Sequence, residues 1–354
     1  MTIKGILLEI ASRKRGALSV SPQDVERARR KISKMWNSNL PEVLPPKLAA
    51  GVDGSRNKKV YAGYVVYALG VASLVFEKER RKNSVINGDV DILKPEEYSD
   101  SRLRNLMGIL EYKGALSTLP KTELLFLDGS IVGALVRPNV FLYEVKGEVK
   151  KFVEELFEEL KGKFSSDKID SKDFYPEISK KYSGEDFVVA CGYLEYLEYL
   201  LTIYRLLELS VRDGKSIVSI SKRSNSRLYR LDTVLPDIAV LNFLQPPPGY
   251  SEPFEFSIEE EKKFQFPGKF DEALRRFKFK TFFLKMKEGI YKVELLGNIS
   301  VEEAISYMRF YEVSGYNYIL KEVHERVKIT SSDMEDIIRE LKFRGVTGRE
   351  ALGE

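Results

Sequence analysis

Leu48-Ala49-Ala50-Gly51-Val52-Asp53-Gly54-Ser55 is a short apolar run that closes on Asp-Gly-Ser, and the same ending returns at Leu124-Leu125-Phe126-Leu127-Asp128-Gly129-Ser130. Each run has the length and character of a central, buried strand. A lone carboxylate at the end of such a strand is costly unless it is paired, protonated or bound to a cation. Asp-Gly is also ordinary turn chemistry, and either motif alone can be read that way. Two of them in one sheet weigh against the turn reading.

Outward from these runs, Val60 to Phe76 is rich in Val, Tyr and Gly, as in the hairpin strands of an antiparallel group. Residues 98–118 carry Leu103, Leu106, Met107 and Leu110 at helical spacing. Residues 141–161 and 186–212 read as helices, and Ser216 to Ile220 as a strand. Some three strands, a helix, a strand, a helix, then a strand and helices is the order of a ribonuclease H-like α/β fold, a mixed sheet flanked by helices. Ser21-Pro22 opens a basic N-terminal helix, with Ser21 as its N-cap. Pro246-Pro247-Pro248-Gly249 marks an exposed extended loop, and the segments 160–190 and Pro246 to Phe266 read as insertions. A hairpin-like region from Thr281 to Leu296, a helix from Val301 and a second helix from about Tyr316 follow. Ser332-Asp333-Met334-Glu335 has the capping-box form of a short C-terminal helix. The expected division is a helical arm over 1–45, one α/β domain over 46–330 and a helical tail over 331–354.

Composition removes several chemistries. Cys191 is the only cysteine and His324 the only histidine, which excludes an intrachain disulfide, multi-cysteine zinc sites and two-histidine mechanisms. A short apolar start before Arg13, Lys14 and Arg15 is the wrong order for a secretory signal, and a soluble cytoplasmic protein is expected. The net charge of +4 is small but uneven: residues 1–34 hold nine Lys/Arg against three Asp/Glu. Further basic islands lie at Arg223, Arg227 and Arg230, and from Lys269 to Lys292 with Arg275 and Arg276. Such islands are solvated faces unless they surround an active site.

Glu111 shares an i, i+4 row with Leu103, Met107 and Ala115, on the flank of the apolar face, so a helix packed on the sheet turns it inward. Otherwise it is a solvated helix-edge glutamate. Asp53, Glu111 and Asp128 together match a hard divalent cation, magnesium or manganese, held through oxygen. Two such ions would assist hydrolysis of a phosphodiester. Lys222, just after the Ser216 strand, is placed to meet a phosphate, or is simply exposed. Tyr316 and His324 are eight residues apart, two turns along one face if the helix is continuous. His324 can ligate a metal, shuttle a proton, or be an ordinary satisfied side chain.

Ala50-Gly51-Val52-Asp53-Gly54-Ser55, the helical Glu111, Leu125 to Ser130, Ser221-Lys222-Arg223, and Gly315-Tyr316-Asn317-Tyr318-Ile319-Leu320 running into His324 resemble the NurA nuclease family over roughly residues 46–330. The resemblance implies manganese-dependent 5′-to-3′ exonuclease activity on single- and double-stranded DNA and endonuclease activity on single strands. It also implies a homodimer that docks on a hexameric HerA-type helicase and resects DNA ends. Carried over, Asp53, Glu111 and Asp128 are metal ligands, His324 is a further ligand or catalytic partner, Lys222 a phosphate contact, and Tyr316 a substrate or structural contact. Lys222, Arg223, Arg227, Arg275 and Arg276 are the expected DNA contacts.

Two rival classes remain. An actin-like or sugar-kinase-type phosphotransferase also places Asp-Gly turns after separated strands, but lacks here a convincing glycine pair for adenosine. A non-catalytic module that binds DNA or a helicase would not need three acids. A haloacid dehalogenase-like phosphatase would want an acid two residues after its nucleophile, where Ser55 stands.

Overall fold

Ala49–Tyr61 (β1), Tyr64–Glu77 (β2) and Arg80–Leu93 (β3) form an antiparallel meander whose turns are only two residues long. The computed structural model describes residues 2–14, 22–232, 234–261 and 264–342. The apolar run beginning at Leu48 is therefore the first third of a long strand. Asp53-Gly54-Ser55 continues the β1–β2 ladder, with Asp53 opposite Ala72, so this Asp-Gly is not a turn. Strand β3 is polar and exposed along much of its length, which hid it from a reading based on apolar alternation.

Helix α1 (Ser99–Thr118) crosses over to Leu124–Asp128 (β4), which lies parallel to β1. Helix α2 (Gly184–Arg212) then leads into Ser216–Ser221 (β5), parallel to β4. Both strands are almost wholly buried, as central parallel strands must be. The hairpin Lys278–Lys285 (β6) and Ile290–Leu296 (β7) adds antiparallel to β5, giving the order β6-β7-β5-β4-β1-β2-β3 within a ten-stranded sheet among the described residues. This mixed sheet with helices on both faces is the expected ribonuclease H-like architecture.

One face packs on α1 and α2 through Ala50, Val52, Leu125, Leu127 and Ile217. The other packs through Ala49, Leu124, Phe126, Val218 and Ile220 on α3 (Val301–Phe310) and α4 (Tyr318–Val327). Helix α2 is long and apolar enough to span a membrane, but 89% of its most apolar window is buried inside the protein. Cys191 lies in that helix, fully buried.

Several sequence expectations need correction. Tyr316 is not on the His324 helix: Tyr316–Asn317 pairs with Glu312–Val313 in a two-stranded ribbon, and Ser314 and Gly315 make the turn with positive φ. Asn317 then caps α4, accepting from the Leu320 amide. The C-terminal helix (Ser331–Glu340, α5) is capped by Thr330 with Asp333 as its box partner, not by Ser332 with Glu335. The stretch after Pro246 is not only loop, because Gly249–Ser251 and Phe254–Ser257 both pair with β6. Lys285 and Lys292, counted in a basic island, are buried. The Ser21 cap lies outside the described residues. The helix that follows, Pro22–Met35, is present.

Candidate metal centre

The glycines flanking Val52 and Asp53 open β1 from both faces. A Cβ at Gly51 would sit 2.6 Å from Ile319 of α4, so only glycine lets that helix lie against the strand. On the opposite face a Cβ at Gly54 would crowd Cβ and Oε2 of Glu111, both at 3.2 Å. The absent side chains bring His324 from one layer and Glu111 from the other to the same point on the strand.

Asp128 joins them through register. Val52 pairs with Leu127 in the parallel ladder, which sets Asp53 and Asp128 side by side one residue further on. Gly129, with φ of +100°, turns the chain away at once, and Ser130 caps the short helix Ile131–Leu135. The second Asp-Gly is thus both strand end and turn, and the turn aims the acid.

Each acid has a different environment. Asp53 Oδ2 lies 2.8 Å from His324 Nδ1, which leaves Nε2 of the half-exposed imidazole for a cation or a proton. Burial raises the Asp53 carboxyl above its usual range, against the lowering bond to His324 and with a further upward push from the Asp128 charge. Asp128 Oδ2 is 3.1 Å from Lys222 Nζ. Glu111 is 8% exposed and has no hydrogen-bond or ion-pair partner among the described residues. Burial, then the charges of Asp53 and Asp128, hold its carboxyl well above the ordinary range.

Lys222 also stands over the Tyr316 ring, 4.1 Å from its centroid. Burial, followed by the nearby Asp128 charge, keeps that phenol protonated far into alkali. Its hydroxyl approaches Asp128 without a well-formed hydrogen bond. All six residues singled out in the sequence therefore meet at one place. Among the described residues no three His, Cys, Asp or Glu side chains are grouped closely enough to hold a metal ion as they stand. The charge of Asp128 bears on Asp53, and both bear on Glu111, a repulsion that a cation would relieve. Oxygen donors with one imidazole fit manganese or magnesium.

The basic residues divide. Arg223 and Arg227 follow Lys222 on an exposed segment. Arg276 pairs with Glu208 near the end of α2, and Arg275 pairs with Asp271 and Glu259. Glu208 is near the α2 end that leads into β5, so Arg276 sits towards the start of that strand, whereas Lys222 follows its end.

The sequence matches the NurA domain over residues 47–329. The chain belongs to the NurA family. A probable DNA double-strand break repair nuclease NurA of Methanocaldococcus jannaschii is 29% identical, spanning 92% of this chain and 86% of that protein. The crystal structure of the NurA nuclease from Sulfolobus solfataricus superposes with a TM-score of 0.71 at 21% identity, covering 96% of this chain and 97% of that one. A crystal structure of NurA bound to dAMP and manganese superposes with a TM-score of 0.65 at 17% identity, covering 97% and 96%. The NurA fold is thus shared at low identity over nearly the whole chain.

The lone, buried Glu111 makes a stability prediction. Its raised carboxyl means that the folded protein holds this proton more tightly than the unfolded chain. Stability is therefore lost as pH rises from the ordinary carboxylate range through the raised value. Without metal, Glu111→Gln is expected to melt at or above the wild type at neutral pH, and the gap should close in acid, where both side chains are neutral. Melting curves across that range check it; a Gln variant that melts lower at neutral pH rules the reading out.

Proposed function

We propose that the chain is a metal-dependent DNA nuclease whose Asp53, Glu111 and Asp128 bind divalent cations, manganese or magnesium, at two sites. The observation that carries this reading is the convergence of three mutually repelling acids, two of them strongly desolvated, beside Lys222 and His324. Cations held by these three acids would supply an activated water and neutralise charge on the scissile phosphodiester. The chain's own groups do the rest. Lys222, on its Tyr316 platform, meets the phosphate as negative charge builds. His324 orients Asp53 and offers its second nitrogen as a ligand or proton carrier. Arg223 and Arg227 continue the positive surface from Lys222 along the DNA backbone, while Arg275 and Arg276 would serve a longer track.

The names of the relatives support DNA as substrate and double-strand break repair as context, and the manganese-bound neighbour supports the metal. In this reading the enzyme degrades single- and double-stranded DNA from 5′ ends and cuts single strands internally. It works as a homodimer with a HerA-type helicase on the chromosome in the cytoplasm. Residues 46–330 form the nuclease domain, with 1–45 as arm and 331–354 as tail.

Incubation with end-labelled single-stranded DNA and manganese, with ATP followed in parallel, tests this. Cleavage that needs manganese, stops in EDTA and consumes no ATP is expected. Undiminished cleavage in EDTA would remove the metal reading, ATP consumption without cleavage would favour a phosphotransferase, and binding alone would leave a non-catalytic module.

A further inference from the structure

Glu294 of β7 is 1% exposed and lies on the α1/α2 face of the sheet, one strand beyond β5 from Asp128. It is opposite Ser219, with Lys292 opposite Ser221. These two serines keep that face of β5 small, so a longer side chain on β7 can reach over it to the turn that follows β4. Glu294 does so. Its Oε1 accepts from Ser130 Oγ at 2.6 Å and from Lys292 Nζ at 2.9 Å, and its Oε2 accepts from the Val132 amide at 3.1 Å. Ser130 Oγ in turn accepts from the Gly133 amide at 2.7 Å.

Nothing in the site chemistry described above uses these groups, yet they grip the residues immediately after Asp128. The carboxylate of Asp128 faces the α4 side, and its turn is held from the other side. Gly129, between acid and clamp, has a glycine-type φ that gives the turn little stiffness of its own. We propose that Glu294 is a positioning residue: it fixes the Asp128 turn through Ser130 and Val132, and Lys292 is its buried counter-charge. This inference rests on the reading of Asp128 as a cation ligand.

Partners that orient a ligand typically change metal affinity or activity by roughly 10–100-fold when removed. The test uses the full chain without DNA. Bound manganese is counted from the free-ion EPR signal, and metal-free melting is measured in parallel. Glu294→Gln is expected to weaken manganese binding by roughly 10–100-fold. Val65→Ala, a fully buried β2 position paired with Val60, seven residues along β1 from Asp53, should lower the melting temperature with manganese affinity kept. Ser130→Ala should weaken binding in the same direction as Glu294→Gln, and Ser130→Thr, which restores the hydroxyl, should recover it. If Glu294→Gln does not fold, the Ser130 pair decides. Binding within about twofold of wild type in Ser130→Ala and in any folded Glu294→Gln would overturn the proposal, as would an equal loss in Val65→Ala. A wild-type chain that binds no manganese would instead overturn the metal reading itself.

Discussion

Asp128→Asn is expected to lower manganese-dependent cleavage by on the order of a thousandfold or more, roughly 4 kcal/mol of transition-state stabilisation. The amide keeps the size of the side chain and an acceptor but carries no charge to hold a cation. DNA binding through Lys222, Arg223 and Arg227 should persist, because those cations are untouched. Stability should change little: the variant loses a part-exposed pair with Lys222 and relieves repulsion on Asp53 and Glu111. An Asp that merely closed a turn before Gly129 would tolerate Asn with near-normal cleavage. Single-turnover rates at saturating DNA separate the two, and a variant retaining a tenth of wild-type activity would end the ligand assignment.

The second large effect is structural. Lys113 is two residues beyond Glu111 on α1, 1% exposed, and donates to the Lys168 carbonyl, Asp170 Oδ2 and Glu198 Oε1 at 2.5, 2.6 and 2.7 Å. Glu198 also accepts from the amides of Asp170 and Ser171. Removing the cation that hydrogen-bonds both acids leaves two buried carboxylates without their direct partner, a loss of about 3–5 kcal/mol. Lys113→Ala is expected to lose that much in denaturant unfolding. Lys113→Met with Asp170→Asn and Glu198→Gln should regain part of it, because the Gln carbonyl can still accept the two amides and no buried charge remains. A loss below about 1 kcal/mol in Lys113→Ala would mean that water reaches the group.

Much of the site was legible in the sequence because its chemistry is carried by rare residue types in rare settings. Two apolar runs that end in acids, one histidine, and a helix with an acid on the edge of its apolar face pointed to Asp53, Asp128, His324 and Glu111. What misled is equally physical. The same Asp-Gly-Ser occurs mid-strand at Asp53 and as strand end plus turn at Asp128, and only pairing partners distinguish the two. An eight-residue spacing suggested one helix for Tyr316 and His324, but the Ser314-Gly315 turn and the Asn317 cap restart the chain between them. Glu294 gave no signal and Lys292 was counted in a basic island, since alternating charged residues on a strand ordinarily face water. Their burial depends on a neighbour, β5, whose serines lie more than seventy residues earlier in the chain. The segment 160–190 read as an insertion because its anchoring is also remote: Asp170 is held by residues on α1 and α2.

The thiol of Cys191 lies fully buried in α2 beside Glu195 and Arg102, with burial pushing its pKa up to about 12. A sulfur that is both shielded and protonated is inert towards disulfide reagents until the helix lets go. With no second cysteine to confuse the signal, its labelling rate is a clock for opening in the unmodified protein. When reclosing outpaces labelling, that rate scales with the fraction of molecules open. A 3 kcal/mol loss in Lys113→Ala should then speed labelling about 150-fold, at concentrations too dilute for calorimetry.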